Sequence, residues 1–415
     1  MMRRRGEAHS GYPLGAAVTL GQLEHDPHPH LARLRAGEPV SWLPALDGWL
    51  VTRRDLALAV MRDAATFTVD DPRFSTAQVV GPSMLSLDGA EHARHRDPFA
   101  RAFRLGETRA RFTDFVERET QRLIDEIEPA GTAELRRTVA GPLAVAVVAR
   151  ALGLHDVQIA TVLAWYEAIV GAVSDVTAGG TVGEAGRQAY DLLSANVGAA
   201  LDLPPDSSLL AEVASDGGAL SVPEVISNAA VIMFGGIETT EAMIANAALH
   251  LLESPEQLGL VRADPALVVR AVEESLRLEP AAAVVDRYAT RAVDLGGASI
   301  AARDLVIVSL AGANRDPDVF TAPDRFDVRR DNARLQLAFA QGPHVCPGMH
   351  LARLEAQVAI GRLLERLSGL RLDPARANAA RGLVFRKPPE LHVVWDPQEG
   401  ESPGSVRART WDRTP

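Results

Sequence analysis

The stretch "FAQGPHVCPG", residues 339–348, holds the one cysteine of a 415-residue chain. A solitary thiol is ordinarily an inert core residue, but its neighbours here argue for another use. Pro347 lacks an amide hydrogen and has a fixed φ, which suits the first turn of a helix. The following "MHLARLEAQVAIGRLLERL" repeats Ile360, Leu363, Leu364 and Leu367 at helical spacing. A helix is therefore expected from Pro347 to Leu367, with Cys346 at its N-terminus. There the macrodipole and free N–H groups, such as that of Gly348, favour a thiolate over a thiol. Gly342 and Gly348 let the backbone run close to something flat or bulky. The pattern describes an anionic sulfur facing a ligand.

Composition narrows the class. The length allows two or three domains, yet no Pro/Gly/Ser-rich linker divides the chain, and 47% hydrophobic residues supply an ample core. One cysteine excludes an intramolecular disulfide and fits a reducing compartment. The start, "MMRRRGEAHSGYPLG", lacks the apolar core of a signal peptide. The longest apolar run, "AAVIMFGGI", is too short to span a bilayer, so a cytoplasmic protein without a membrane anchor is expected. A net charge of −11 argues against nucleic acid as a partner. Almost every basic residue is arginine; Lys387 is the one lysine, which reads as a codon bias.

Helical periodicity dominates, most clearly over 108–127, 222–253 and 347–367. Strands are expected in "VSWLPALDGWLVT" and in "RYATRAVDLGGASIAARDLVIVSL", where a Gly-Gly turn separates alternating segments. "ANRDPDVFTAPDRFDVRR" is too rich in Pro and Asp for regular structure and reads as an ordered meander. The expected fold is mainly α with small peripheral β-sheets, as a single large domain over residues 21–397. A flexible extension over 1–20 and a disordered tail over 398–415 would flank it.

Other motifs are weighed one by one. The 222–253 segment opens with Ser221 and Glu224 in a capping-box arrangement, and its middle reads "FGGIETTEA". Two interior glycines cost about 1 kcal/mol each relative to alanine. Close helix packing would account for them; so would a helix opened there, with Glu238 and Thr239 holding a small polar molecule. Glu274 and Arg277, one turn apart in "VEESLRLEP", by themselves describe an ordinary surface ion pair. His92 and His95 in "EHARHR" lack a third metal ligand nearby, and His25, His28 and His30 lie in a proline-broken polar segment.

In their order along the chain these motifs resemble the cytochrome P450 superfamily, specifically its soluble bacterial members, from about Trp49 to Val394. The family signature F-G-x-G-x-H-x-C-x-G is met by Phe339, Gly342, His344, Cys346 and Gly348, with Ala340 in place of the first glycine. "LDGAEHARHR", "GGIETT", "EESLR" and "NRDPDVF…PDRF" follow the family order. A second departure, "IAARDLV", lacks the family's frequent Pro and Gly.

The resemblance implies that Cys346 is the thiolate ligand of a haem b iron, with Phe339 packed near the sulfur. His92, Arg96, Arg287 and His344 match the positions that hold the haem propionates. Glu274, Arg277 and Arg325 match a structural triad that fixes the meander. Gly235, Gly236, Glu238 and Thr239 match the kinked distal helix, where Thr239 assists oxygen activation and Glu238 relays protons. That acid–alcohol pair implies an O2-using monooxygenase in place of a peroxide-using one. Leu85, Val231, Phe234, Gly235, Ala283 and Val384 would line a pocket for a hydrophobic small molecule, and residues 153–220 would form its lid. Electrons would come from NAD(P)H through a ferredoxin reductase and a ferredoxin, docked on Arg101, Arg104, Arg109 and Arg353. The implied activity is hydroxylation or epoxidation in secondary metabolism, by a monomer. An oxidative coupling or rearrangement enzyme, or a non-catalytic haem-thiolate sensor, would share the same scaffold.

Overall fold

The structure, a computed structural model, describes residues 11–396 except 155, 178, 205–207, 216–218 and 377. Its axis is the helix Val222–Glu253, 32 residues long. Its start is locally determined: the Ser221 amide and hydroxyl both donate to Glu224 Oε2 at 2.8 Å, and a proline sits in the first turn. Its middle and end are buried on nearly every side, as a helix apolar all round must be. Helices Gly141–Ala151, Val268–Leu278, Met349–Arg366 and Glu184–Ala200 pack on it, and together with Leu105–Ile127 they enclose the main core.

The β structure is peripheral. Val40–Leu43 and Gly48–Val51 form an antiparallel hairpin, with Trp42 opposite Trp49. Leu305–Ser309 runs parallel to the second strand, Val284–Ala289 antiparallel beyond it, and Phe67–Thr68 closes the edge. The fully buried Trp49 is anchored by an N–H bond to Asp304 at 3.0 Å. Gly296 and Gly297, both at positive φ, make the tight turn between Val293–Leu295 and Ala298–Ile300. Residues 314–332 contain no helix or strand and are an ordered meander.

Two expectations change. The helix after the cysteine starts at Met349, with Gly348 as its cap, not at Pro347. The Cys346 amide donates instead to the Phe339 carbonyl at 2.9 Å, which keeps the preceding residues in a loop. Residues 11–20 are not a free extension: the Leu14 and Gly15 amides donate to Glu38 at 2.8 and 3.0 Å, and the Tyr12 ring meets Trp49 edge-on. Residues 1–10 and the tail from 397 lie outside the described residues. Ile159–Thr177 is long and apolar enough, by length and composition alone, to cross a membrane; here it packs against Glu184–Ala200 and the helix Ser75–Val80.

Candidate active site around Cys346

The cysteine loop is shaped by two left-handed residues. Gly342 has φ +78°, and a Cβ there would run into the Met61 carbonyl, so only glycine fits. Ala340, at the family's glycine position, has φ +58°. An L-residue in that region costs about 1 kcal/mol, so this departure strains the loop. Arg96 donates to the Val345 carbonyl, and the Arg353 guanidinium lies 4.4 Å over the Phe339 ring while its Nε donates to Glu273.

Cys346 keeps part of its surface accessible, yet burial pushes its thiol up. The Gly348 amide and the charges of Arg96 and Arg353 pull it down without overcoming that burial. The helix start is thus weaker than the sequence implied, because its first helical residue is three positions away. An anionic sulfur in this place needs a metal cation, which deprotonates a coordinating thiol outright.

Three of the four expected propionate ligands, His92, Arg96 and His344, meet at this loop, and Arg287 lies within electrostatic reach of Asp88. His92 and His344 rings lie 4.3 Å apart. His92 is buried, its Nε2 has no partner, and burial, followed by the His344 and Arg96 charges, lowers it to about 4. Arg96 and Arg287 spend hydrogen bonds on the backbone carbonyls of Val345 and Asp286, and neither forms an ion pair among the described residues. A half-buried Arg96 and a buried Arg287, neither in direct ion-pair contact, suit an anionic ligand. With the thiol that needs a metal and the orphaned His92 nitrogen, they fit a haem.

Sequence reasoning missed Asp88, within the quoted "LDGAEH". It accepts from Thr68 Oγ1 at 2.6 Å, from the Val69 amide at 2.8 Å, and pairs with His344 Nε2 at 2.8 Å. Burial raises its carboxyl, but the His344 and Thr68 bonds outweigh burial and lower it to about 2. Its role is to orient the His344 ring.

On the long helix the two glycines differ. A Cβ on Gly236 would lie 2.6 Å from Val148 Cγ2, so packing explains it; a Cβ on Gly235 meets nothing within 4 Å. The helix is not opened here, as one expectation had it. Thr239 Oγ1 donates to the Gly235 carbonyl at 2.5 Å within continuous helix, a back-bond that bends helices without breaking them. Glu238 pairs with Lys387 at 2.7 Å and accepts from the Tyr166 hydroxyl. Burial, reinforced by Glu238, raises Tyr166 well above the usual phenol range, so it remains a donor.

Val231 belongs to the main core, and Leu85 and Phe234 are partly buried against that core. The 83–86 turn is tied to the helix by the Met84 amide bonding Asn228 at 2.8 Å. Phe385, not foreseen, meets Phe234 edge-on at 5.5 Å. Val384 is 45% exposed and its carbonyl accepts from the Ala283 amide. Ala283 itself is enclosed with Leu23, Leu31 and Leu50 in a separate cluster, so its placement in the pocket is corrected. Its carbonyl accepts from the Leu310 and Ala311 amides.

The structural triad also needs correction. Glu274 and Arg277 are completely buried and bidentate, with both bonds at 2.8 Å. The third member is Arg330, whose Nε donates to Glu274 at 2.9 Å. Arg325 is exposed and contributes only its carbonyl, to Arg277 and Arg330. In an irregular segment no period indicates which side chain turns inward.

The Cytochrome P450 family model matches residues 262–391. Cytochrome P450 monooxygenase PikC of Streptomyces venezuelae is 35% identical, over 90% of this chain and 92% of that protein. 6-deoxyerythronolide B hydroxylase of Saccharopolyspora erythraea is 32% identical over 88% and 95%. Epothilone C/D epoxidase of Sorangium cellulosum is 30% identical over 90% and 93%. Among solved structures, CalO2 superposes with a TM-score of 0.82 at 29% identity, covering 91% of this chain and 99% of that one. Because the similarity runs through the chain and is not confined to the cysteine loop, this protein belongs to the cytochrome P450 family, as a haem-thiolate monooxygenase.

Proposed function

We propose that the enzyme hydroxylates or epoxidises a hydrophobic small molecule of secondary metabolism, using O2 and two electrons delivered by a separate ferredoxin. The observation behind this is the pairing of Thr239 and Glu238 beside the open side of the long helix at Gly235. The relatives include both a hydroxylase and an epoxidase, and Leu85, Val231, Phe234 and Phe385 present an apolar surface. One cysteine in the whole chain supports a reducing, cytoplasmic setting.

Cys346 would hold a haem, with His92, Arg96, Arg287 and His344 available for its propionates, and the group would supply reductive O2 activation when bound. The chain supplies everything around it. Phe339, with the Arg353 guanidinium stacked on it, would pack near the sulfur and limit the access of water. Thr239 holds a hydroxyl at the pocket wall, able to leave the Gly235 carbonyl and donate into the pocket. Glu238, one residue away and part-exposed, brings protons from solvent.

Thr239→Ala tests this reading. Substrate binding should hold within about twofold, while product formed per NAD(P)H falls several-fold and hydrogen peroxide rises by the same amount. Unchanged product yield per NAD(P)H would sink the assigned role.

The electron donor's docking face is read as the exposed Arg101, Arg104 and Arg109, with Leu105 44% exposed among them. The patch is smaller than the sequence count implied. Arg94 is tied to Glu91 and Glu224, Arg111 to Glu212, and Arg353, expected to contribute, is engaged by Glu273. Reversing Arg104 and Arg109 to Glu should slow reduction by ferredoxin about tenfold at low salt, with a flatter salt dependence. Substrate affinity should stay constant. Reduction at the wild-type rate would remove the patch from consideration.

A further inference from the structure

Among the described residues the Asp286 carboxylate has no hydrogen-bond or ion-pair partner. It belongs to Val284–Ala289, the strand that runs between Leu305–Ser309 and Phe67–Thr68. Arg287 follows it directly, but successive strand residues point to opposite faces. The Arg287 guanidinium donates to the Asp286 backbone carbonyl at 2.7 Å and not to its carboxylate. On the Asp286 face, Arg73 lies 4.3 Å over the Tyr288 ring and is already held by Asp71 through bonds at 2.8 and 2.9 Å.

Asp286 is enclosed without being sealed. Burial pushes its carboxyl up, and the Arg287 charge pulls it down without restoring the ordinary value. Yet Val284, Val285 and Asp286 all keep part of their surface accessible, between Ala283 at 2% and Arg287 at 4% exposure. A carboxylate that is accessible but poorly hydrated lines an internal space, since one open to bulk water would keep its ordinary pKa.

The two ends of the strand locate that space. At one end Ala282 pairs with Phe385, whose ring meets Phe234 of the long helix edge-on at 5.5 Å. At the other, Arg287 is within electrostatic reach of Asp88, which holds His344. Asp286 thus sits between the apolar wall of the pocket and the anion-binding cluster. With Arg73 held by Asp71 and Arg287 available to a propionate, the carboxylate needs a cation that these neighbours do not supply.

We propose that Asp286 is a specificity-determining residue that binds an ammonium group of the substrate. The substrate is then a cationic amphiphile, with an apolar body against Phe234 and Phe385 and a protonated amine at the strand. The inference rests on the reading of this pocket as the site of a hydrophobic small molecule and narrows that reading to basic amines. An ammonium brings both charge and an N–H donor to a place where an ion pair is little screened. A neutral ligand would leave the enclosed acid unpaired, and an anionic one would meet repulsion. The acid therefore selects by exclusion as well as by attraction.

The test uses the haem-loaded full chain and three probes built on one dodecyl chain: N,N-dimethyldodecylamine, 1-dodecanol and laurate, each below its micelle concentration. Binding is read from the shift of the Soret band towards high spin. In the wild type the amine should bind about tenfold more tightly than dodecanol, and laurate should bind most weakly. In Asp286→Asn the amine should fall to the affinity of dodecanol, while dodecanol itself stays within about twofold. Asp286→Glu should retain part of the preference.

A second measurement needs no ligand. Asp286→Asn should keep its haem and melt at or above the wild-type temperature, because it removes an unpaired carboxylate from an enclosed site. A residue present for the fold would lose stability instead. Equal wild-type affinity for amine and dodecanol, an amine preference that survives Asp286→Asn, or a lower melting temperature for that variant overturns the proposal. So does an amine that ligates the iron and shifts the band the other way. If none of the three probes shifts the band, the reading of a hydrophobic pocket has failed and the inference with it. If dodecanol and laurate bind as well as the amine, only the amine assignment has failed.

Discussion

Cys346→His is expected to abolish the red-shifted Soret band of the reduced, CO-bound protein and to lower oxygenase turnover to the level of a haem-free control. Haem itself can remain bound, because His92, Arg96, Arg287 and His344 are untouched by the change. The reason lies in the ligand: a thiolate pushes electron density onto the metal and favours O–O cleavage, which an imidazole does less well. Burial already disfavours the free thiolate at this position, so the anion depends on the metal and the spectrum should report their bond directly. A wild-type CO spectrum like that of a histidine-ligated haem would show that Cys346 is not the ligand.

Arg277→Met should be nearly as damaging, by a different route. It leaves the fully buried Glu274 with Arg330 as its remaining cation and strips donors from the carbonyls of Asn314, Pro323 and Arg325. Breaking a buried pair from one side costs about 3–5 kcal/mol, a large part of the 5–15 kcal/mol typical of a whole domain. The expected outcome is insoluble or haem-depleted protein, with any soluble fraction melting several degrees lower. Because an unfolded variant is uninformative by itself, Arg325→Ala provides the contrast. Its side chain is exposed and only its carbonyl is used, so stability should change by about 0.5 kcal/mol or less. Thermal melts and haem content measure both; an Arg325→Ala loss as large as that of Arg277→Met would restore Arg325 to the buried cluster.

Those two arginines also show where legibility in the sequence ended. The lone thiol between Gly342 and Gly348, the Ser221–Glu224 cap and the paired glycines before Glu238 and Thr239 were readable because each acts within a few residues of itself. Turn chemistry, capping and helical period are local physics, and the order of such motifs along the chain sufficed for the fold class. Partners were a different matter. Asp88 reaches His344 across 256 positions, Lys387 reaches Glu238 from the far end of the chain, and Phe385 meets Phe234 from a loop with no period. Arg330 in place of Arg325, and Ala283 enclosed away from the pocket, depended on how irregular backbone turned once the core had formed. By itself the sequence determined the elements, the cysteine loop and the acid–alcohol pair, since local conformational preference is encoded residue by residue. Only the tertiary structure decided which charges meet, because a buried charge is placed by the packing that removes it from water, and that packing joins segments hundreds of residues apart.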